Sequence, residues 1–345
     1  VAEENHVLVW REGSAGRIRL NRPKALNSLT LEMVRTIAGA LTAFEADDGI
    51  AAVLVDGAGE RGLCAGGDIR AIHDSGKSDG VEALTFWREE YAVNAHIARF
   101  AKPYVAFMDG ITMGGGVGLS AHGAHRIVTE RTRMAMPETG IGFFPDVGGT
   151  WLLARAPGEV GTYLGLTGAG IGGADAIHAG FADVLVAADA WPEIASALAA
   201  LPPGATGAAI SGILAPFAKP AVPPLGAQRA LIDAAMAHGD VPEILEALAA
   251  DGSEFAQATL KTLSEKSPTS LVLTLRLLRL ARASGSLQEC LDREYAGARA
   301  ILASADFYEG VRAAVIDKDR NPRWNPATLD AVDHAWLEAI LAAGK

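Results

Sequence analysis

Tyr104-Val105-Ala106-Phe107-Met108 is a β-type run, and Met113-Gly114-Gly115-Gly116-Val117-Gly118-Leu119-Ser120 follows it as a glycine-rich loop opening a helical segment. The same order appears upstream, where Ala52 to Val55 leads to Cys64-Ala65-Gly66-Gly67-Asp68-Ile69-Arg70. Strand, glycine loop and helix repeated in this way read as an α/β layered fold. Glycine leaves the backbone amides at a helix start unobstructed, which makes each loop a ready site for negative charge. Two such loops facing each other could donate two N–H bonds to one developing oxyanion.

The alternation extends outward to about residue 187. Val7 to Trp10, Arg17 to Leu20, Arg126 to Thr129 and Asp183 to Val186 are the remaining expected strands, each bounded by Gly, Pro or Asp. Thr30 is placed to cap a helix whose apolar residues Leu31, Val34, Ile37, Leu41 and Phe44 recur at helical spacing, and Asp47-Asp48-Gly49 ends it. From Pro192 to Pro224 the composition shifts to Ala, Gly and Pro, which predicts a helix and then a loose connection. Beyond it the pattern is helical: Ala227 to His238, Pro242 to Ala250, Glu254 to Glu265, Thr269 to Ala283, Leu287 to Leu302, Phe307 to Ile316 and Ala327 to Ala342. The expected organisation is therefore a core over 1–190, a connection over 191–226 and an all-α region over 227–345. Arg276, Arg279 and Arg282 share one helix face, the pattern of a solvated or ion-paired stripe.

Half of the 345 residues are hydrophobic and 21% are charged, as in a globular protein with a large core. The net charge of -11 argues against nucleic acid or an anionic membrane as the main partner. Cys64 and Cys290 are too few and too far apart for a disulfide framework or a zinc site, so a reducing compartment is expected. The N-terminal Val-Ala-Glu-Glu-Asn-His has neither a basic nor an apolar leader region, and no run approaches the roughly 20 apolar residues of a membrane span. The expectation is a soluble cytoplasmic protein, with the mitochondrial matrix as its location only if a leader has been removed.

Met136-Pro137-Glu138-Thr139-Gly140-Ile141-Gly142-Phe143-Phe144-Pro145-Asp146-Val147-Gly148-Gly149 sets two carboxylates in an almost wholly apolar run. An ionised side chain is costly to desolvate unless it is paired or its pKa moves, and moved carboxyl pKa values serve acid/base chemistry. The plainer reading makes Glu138 a helix cap and Asp146 a turn residue. Other patterns are weaker. Gly116-x-Gly118-x-x-Ala121 fits a dinucleotide fingerprint but lacks the acidic residue ending a following strand. Gly118-x-Ser120-x-His122 lacks the closing glycine of a nucleophile elbow, so Ser120 is expected to pack a helix. His122 and His125 have no matching ligand set, and no metal is expected.

With these residues in view, the chain resembles the crotonase (enoyl-CoA hydratase/isomerase) superfamily, and within it the 3-hydroxyisobutyryl-CoA hydrolases. The likeness rests on Asn21-Arg22-Pro23-Lys24-Ala25-Leu26-Asn27, the two glycine loops, and the stretch from Pro137-Glu138 through Phe144-Pro145-Asp146-Val147-Gly148-Gly149. In the helical half it rests on Ser267-Pro268-Thr269-Ser270-Leu271, Gln288-Glu289-Cys290-Leu291 with Glu294-Tyr295, and Phe307 to Arg312 running on to Asp319.

The resemblance implies a spiral of ββα repeats followed by an all-α C-terminal region. It implies that Gly67 and Gly115 donate the two N–H groups of an oxyanion hole, and that Lys24, Ala25, Ala65, Gly66 and Ile69 line the CoA. It implies a substrate-side position for Glu90, which by itself would read as a solvated helical glutamate. Hydratases of the family use two glutamates, the first of them three residues after the oxyanion glycine; here that residue is Gly118, while Glu138 is retained. Asp146 stands where the hydrolases carry it. The implied reaction is hydrolysis of a short branched 3-hydroxyacyl-CoA in valine breakdown. Glu138 would be base or nucleophile, and Asp146, its pKa raised by Phe143, Phe144 and Val147, would serve the leaving sulfur or orient water. No cofactor beyond the CoA of the substrate is implied, and a homo-oligomer is among the expected assemblies. The rival readings are an enoyl-CoA hydratase or isomerase and a non-catalytic acyl-CoA-binding protein.

Overall fold

Nine strands run through the residues described by the computed structural model, 5–344. They are β1 (Val7–Glu12), β2 (Ala15–Leu20), β3 (Ala52–Gly57), β4 (Gly62–Cys64), β5 (Tyr104–Met108), β6 (Ile111–Met113), β7 (His125–Thr129), β8 (Arg133–Ala135) and β9 (Val184–Val186). Six form one sheet in the order β1-β2-β3-β5-β7-β9, and β4-β6-β8 form a second, smaller one. β1 and β2 are an antiparallel hairpin, and from β2 on the large sheet is parallel, with Val53 opposite Tyr104 and Val105 opposite His125. Parallel neighbours need crossovers, and helices supply them. Each circuit from β3 adds one strand to the large sheet, one short strand to the small sheet and then a helix, which is the expected spiral of ββα repeats.

Two compact units emerge, and they do not follow chain order. One draws on residues 5–67, Glu89–Met134 and Ile171–Pro223; the other on Asp68–Arg88, Ala135–Gly170 and residues 224–344.

In the first unit β5 is buried along its whole length, as a strand covered on both faces must be. Alternate residues share a face, so Leu54, Val105, Phe107 and Ile127 form one apolar layer with Trp191, Ile194, Leu198, Ile210 and Leu214. The Trp191 ring stacks on Phe107 at 4.4 Å, and its Nε1–H donates to Asp56 at 2.8 Å. The segment expected to be a loose connection contains a further helix, Gly207–Leu214, held because Ile210 and Leu214 sit one turn apart and enter this layer.

The second unit is helical. Its centre is Pro268–Ala283, where Leu271, Leu273, Leu275, Leu277 and Leu278 are all buried, so this helix is covered on most of its surface. Side-chain caps fix the starts of its neighbours: Ser253 accepts from Ala256 N–H, Ser286 from Glu289 N–H and Asp333 from Trp336 N–H. Asp333 also explains a difference from the sequence pattern, since the last helix begins at His334 rather than Ala327. The helix expected over Phe307 to Ile316 is α-helical only through Val311 and finishes in a wider π turn, Arg312–Ile316. The arginine stripe is ion-paired: Arg279 and Arg282 meet Glu159 at 3.0 and 2.6 Å, and Arg276 meets Glu338 at 2.5 Å. No helix among the described residues is long and apolar enough to cross a membrane.

Candidate active site

In the first unit the two glycine loops come together. β4 ends at Cys64, and Gly66 follows with φ +109°, a conformation that side chains disfavour. Gly66 O accepts from Leu29 N–H at 2.8 Å, and Ala65 N–H donates to Leu26 O at 3.0 Å, so this loop is sewn to the segment carrying Lys24 and Ala25. The second loop turns at Gly114, φ +48°, and its helix begins at Gly115. A Cβ on Gly66 would lie 3.7 Å from the Gly115 nitrogen, which measures how closely the loops approach. Gly67 is the next residue in the chain, so the two expected donors belong to adjoining loops.

Glu90 lies on the helix Val81–Ala98 and is 3% exposed, so it is not a solvated helical glutamate. A Cβ on Gly115 would fall 2.5 Å from Glu90 Oε1: the carboxylate packs against Gly115 itself. One turn on, Asn94 is fully buried, and neither end of its amide has a partner among the described residues. Such a group awaits water or ligand. Cys64 is buried and its thiol is pushed up to about 12 by desolvation, which makes it inert rather than nucleophilic. Ser120 spends its hydroxyl on Gly116 O at 2.6 Å, as a helix-packing residue does.

Lys24 and Ala25 sit in a turn, Pro23–Ala25, whose exit needs left-handed backbone at Leu26 (φ 53°) and Asn27 (φ 55°). Asn27 stabilises it by donating to Ala58 O and Gly62 O at 3.0 and 3.1 Å and accepting from Arg22 N–H at 2.9 Å. Beside the turn is a cleft of about 390 Å³ lined by Pro23, Lys24, Leu26, Asn27, Glu60 and Arg61 among others. The Arg61 guanidinium donates to Pro23 O and Lys24 O at 3.2 and 3.3 Å, which brings a second cation to the cleft. Arg61 escaped the sequence reading because it precedes the glycine loop and belongs to no quoted motif. Ala65 and Gly66 lie on the same unit, whereas Ile69 opens the helix Ile69–Gly76 in the other.

The carboxylates belong to the second unit. Glu138 opens a 3-10 turn, Glu138–Ile141, and is 7% exposed; Asp146 is 6% exposed. Phe143 and Phe144 stack at 4.5 Å, and Trp87 stacks on Phe143 at 5.3 Å, giving the run its apolar surround. Burial first, and then the charge of Asp146, hold the Glu138 carboxyl well above its ordinary value. Its Oε2 has no hydrogen-bond partner among the described residues. Glu294, from the helix Leu287–Ile301, joins the pair: it is wholly buried, and its carboxyl is raised to about 8, chiefly by desolvation. Burial thus raises both Glu138 and Glu294, so each holds its proton more tightly than an ordinary carboxyl, and the charge of Asp146 adds to the effect on both. That is the poise of an acid/base centre. Glu294 was visible in the sequence only as part of a motif, because its partners lie more than 140 residues away. Among the described residues no group of three His, Cys, Asp or Glu could hold a metal ion.

Residues 15–341 match the family model described as enoyl-CoA hydratase/isomerase. The chain belongs to the enoyl-CoA hydratase/isomerase family. Family relatives include proteins named 3-hydroxyisobutyryl-CoA hydrolase, mitochondrial: that of Danio rerio is 44% identical, covering 98% of this chain and 90% of the relative. The one from Homo sapiens is 43% identical, covering 96% and 86%. Among solved family structures, a carnitinyl-CoA dehydratase from Mycobacterium thermoresistibile is 49% identical with TM-score 0.93, covering 98% of this chain and 96% of that one. An enoyl-CoA hydratase from Rhodobacter sphaeroides 2.4.1 is 44% identical with TM-score 0.90, covering 98% and 97%.

Proposed function

We propose that this chain hydrolyses a short branched 3-hydroxyacyl-CoA thioester, foremost 3-hydroxyisobutyryl-CoA, to the hydroxy acid and free CoA. The observation that carries the reading is the buried Glu138–Asp146 pair with Gly118 in place of a hydratase glutamate. Adding water across a double bond with two carboxyls needs a proton-moving group three residues after Gly115, and glycine has none. The hydrolase names of relatives 41–44% identical along nearly the whole chain support the same choice.

Each part of the molecule has its own task. The N–H groups of Gly67 and Gly115 stabilise the charge growing on the thioester oxygen, a contribution of roughly 3–4 kcal/mol per donor in comparable sites. Glu138 takes the proton of the attacking water, or itself attacks to give an anhydride that water then cleaves to the free acid and Glu138, and Asp146 gives its proton to the sulfur as the C–S bond breaks. Glu90 receives the hydroxyl of the acyl group. Lys24 and Arg61 face the phosphates of CoA, while Ala25, Ala65, Gly66 and Ile69 meet its pantetheine and adenine. The cytoplasm would supply such a substrate, as would the mitochondrion, the location in the relatives' names.

Thiol release from a panel of short acyl-CoAs tests the reading. Turnover is expected on 3-hydroxyisobutyryl-CoA, with crotonyl-CoA absorbance unchanged. Loss of crotonyl-CoA absorbance with no thiol released would establish the hydratase instead. Tight binding of CoA with neither reaction would leave a binding protein.

A further inference from the structure

The geometry points to Glu294 as a positioning residue: it clamps the turn that carries Asp146 and so aims the leaving-group acid, without touching substrate. This rests on the hydrolase reading for what Asp146 does.

The turn is one that needs holding. Val147, a β-branched residue, is left-handed at φ +56°, and Gly148 follows at φ +75°. A β-branched side chain resists that conformation, and such strain persists only where its surroundings impose it. The backbone contributes a closure, Gly149 N–H to Asp146 O at 2.7 Å. Glu294 adds three side-chain bonds to the same turn. Its Oε2 accepts from Gly148 N–H at 2.7 Å, and its Oε1 accepts from Thr150 N–H at 3.0 Å and from the Thr150 hydroxyl at 2.5 Å. All three donors lie within four residues of Asp146, and both carboxylate oxygens are occupied by them.

A carboxyl is a costly choice for a mere staple. Glu294 is wholly buried, and its hydrogen bonds come from no lysine or arginine. The titrating groups that interact with it are Asp146 and Glu138, both acidic, and Cys290 on its own helix.

A double-mutant cycle on the full-length enzyme tests this, read as thiol release. Glu294→Ala is expected to lower kcat roughly 10- to 100-fold, the scale of a misaimed catalytic group, with KM changed less than about 3-fold. Glu294→Gln, which still accepts from Thr150, should recover part of the loss. In an Asp146→Asn background either substitution should cost less than about 2-fold more, because a residue acting through Asp146 has nothing left to aim. The same fractional loss in both backgrounds, or unchanged kcat in Glu294→Ala, overturns the inference. If Glu294→Ala does not fold, by circular dichroism, the cycle is read on Glu294→Gln alone. A wild-type protein releasing no thiol would overturn the hydrolase reading, which is a separate failure.

Discussion

Glu138 is held where an ionised carboxylate is least comfortable, 7% exposed and beside two other carboxyls. That discomfort is useful chemically and costly structurally, and one substitution separates the two. Because the folded state raises the pKa of Glu138 above its unfolded value near 4.3, the native protein binds that proton more tightly. Its contribution to stability is complete below the unfolded value and is lost as pH rises through the folded one. Glu138→Gln cannot titrate. Its kcat is expected to fall by roughly 10²-fold or more, while its melting temperature gains on the wild type as pH is raised from about 4.5 upward. Calorimetry across that range checks it, and a melting difference independent of pH would mean that Glu138 is not the strained group described above.

Elements in this chain are defined by their ends, and most ends are written locally. Thr30 accepts from Met33 N–H and starts the helix Leu31–Ala46 where the sequence places it. β5 runs over Tyr104–Met108 as its pattern predicts. What stayed illegible has a physical reason in each case. β4, β6 and β8 are three residues each, too short to show a period of two, and they are stabilised by one another rather than by their own propensity. The helix Gly207–Leu214 hides in Ala and Gly composition and forms because Ile210 and Leu214 find a core. At the site, the glycine loops and the Glu138 stretch were legible as local strings; the clamp by Glu294 and the cation Arg61 depend on tertiary contacts that no local window contains. The cap at Ser267 couples both kinds of information. Its hydroxyl accepts from Ser270 N–H at 3.1 Å and donates to Asp306 at 2.6 Å, wholly buried. Ser267→Ala removes a cap, about 1 kcal/mol, and leaves a buried carboxyl short of a donor, about 1–3 kcal/mol more. Urea unfolding should therefore show a loss of about 2–4 kcal/mol with an unchanged slope. A loss under about 0.5 kcal/mol would mean the Asp306 contact is made equally well by solvent.

At the scale of the whole molecule, a chain of net charge -11 has to capture an anionic thioester. Long-range repulsion acts over the Debye length, roughly 30 Å at 0.01 M salt and 10 Å at 0.1 M. Lys24 and Arg61 oppose it only locally, at the cleft beside the Pro23–Ala25 turn. If this cleft takes the CoA phosphates as proposed, those ion pairs weaken as salt rises in the wild type, so kcat/KM should stay level or decline between about 0.01 and 0.15 M. Removing both, in Lys24→Ala with Arg61→Ala, leaves the repulsive field alone. KM should rise about 10-fold, from two exposed ion pairs of about 0.7 kcal/mol each, with kcat unchanged because neither cation touches the reacting carbonyl. The salt response should then reverse sign, kcat/KM increasing with ionic strength as repulsion is screened. Steady-state rates at four or five salt concentrations decide the matter. A fall in kcat, or a salt slope of the wild-type sign in the double variant, would mean that CoA does not use this cleft.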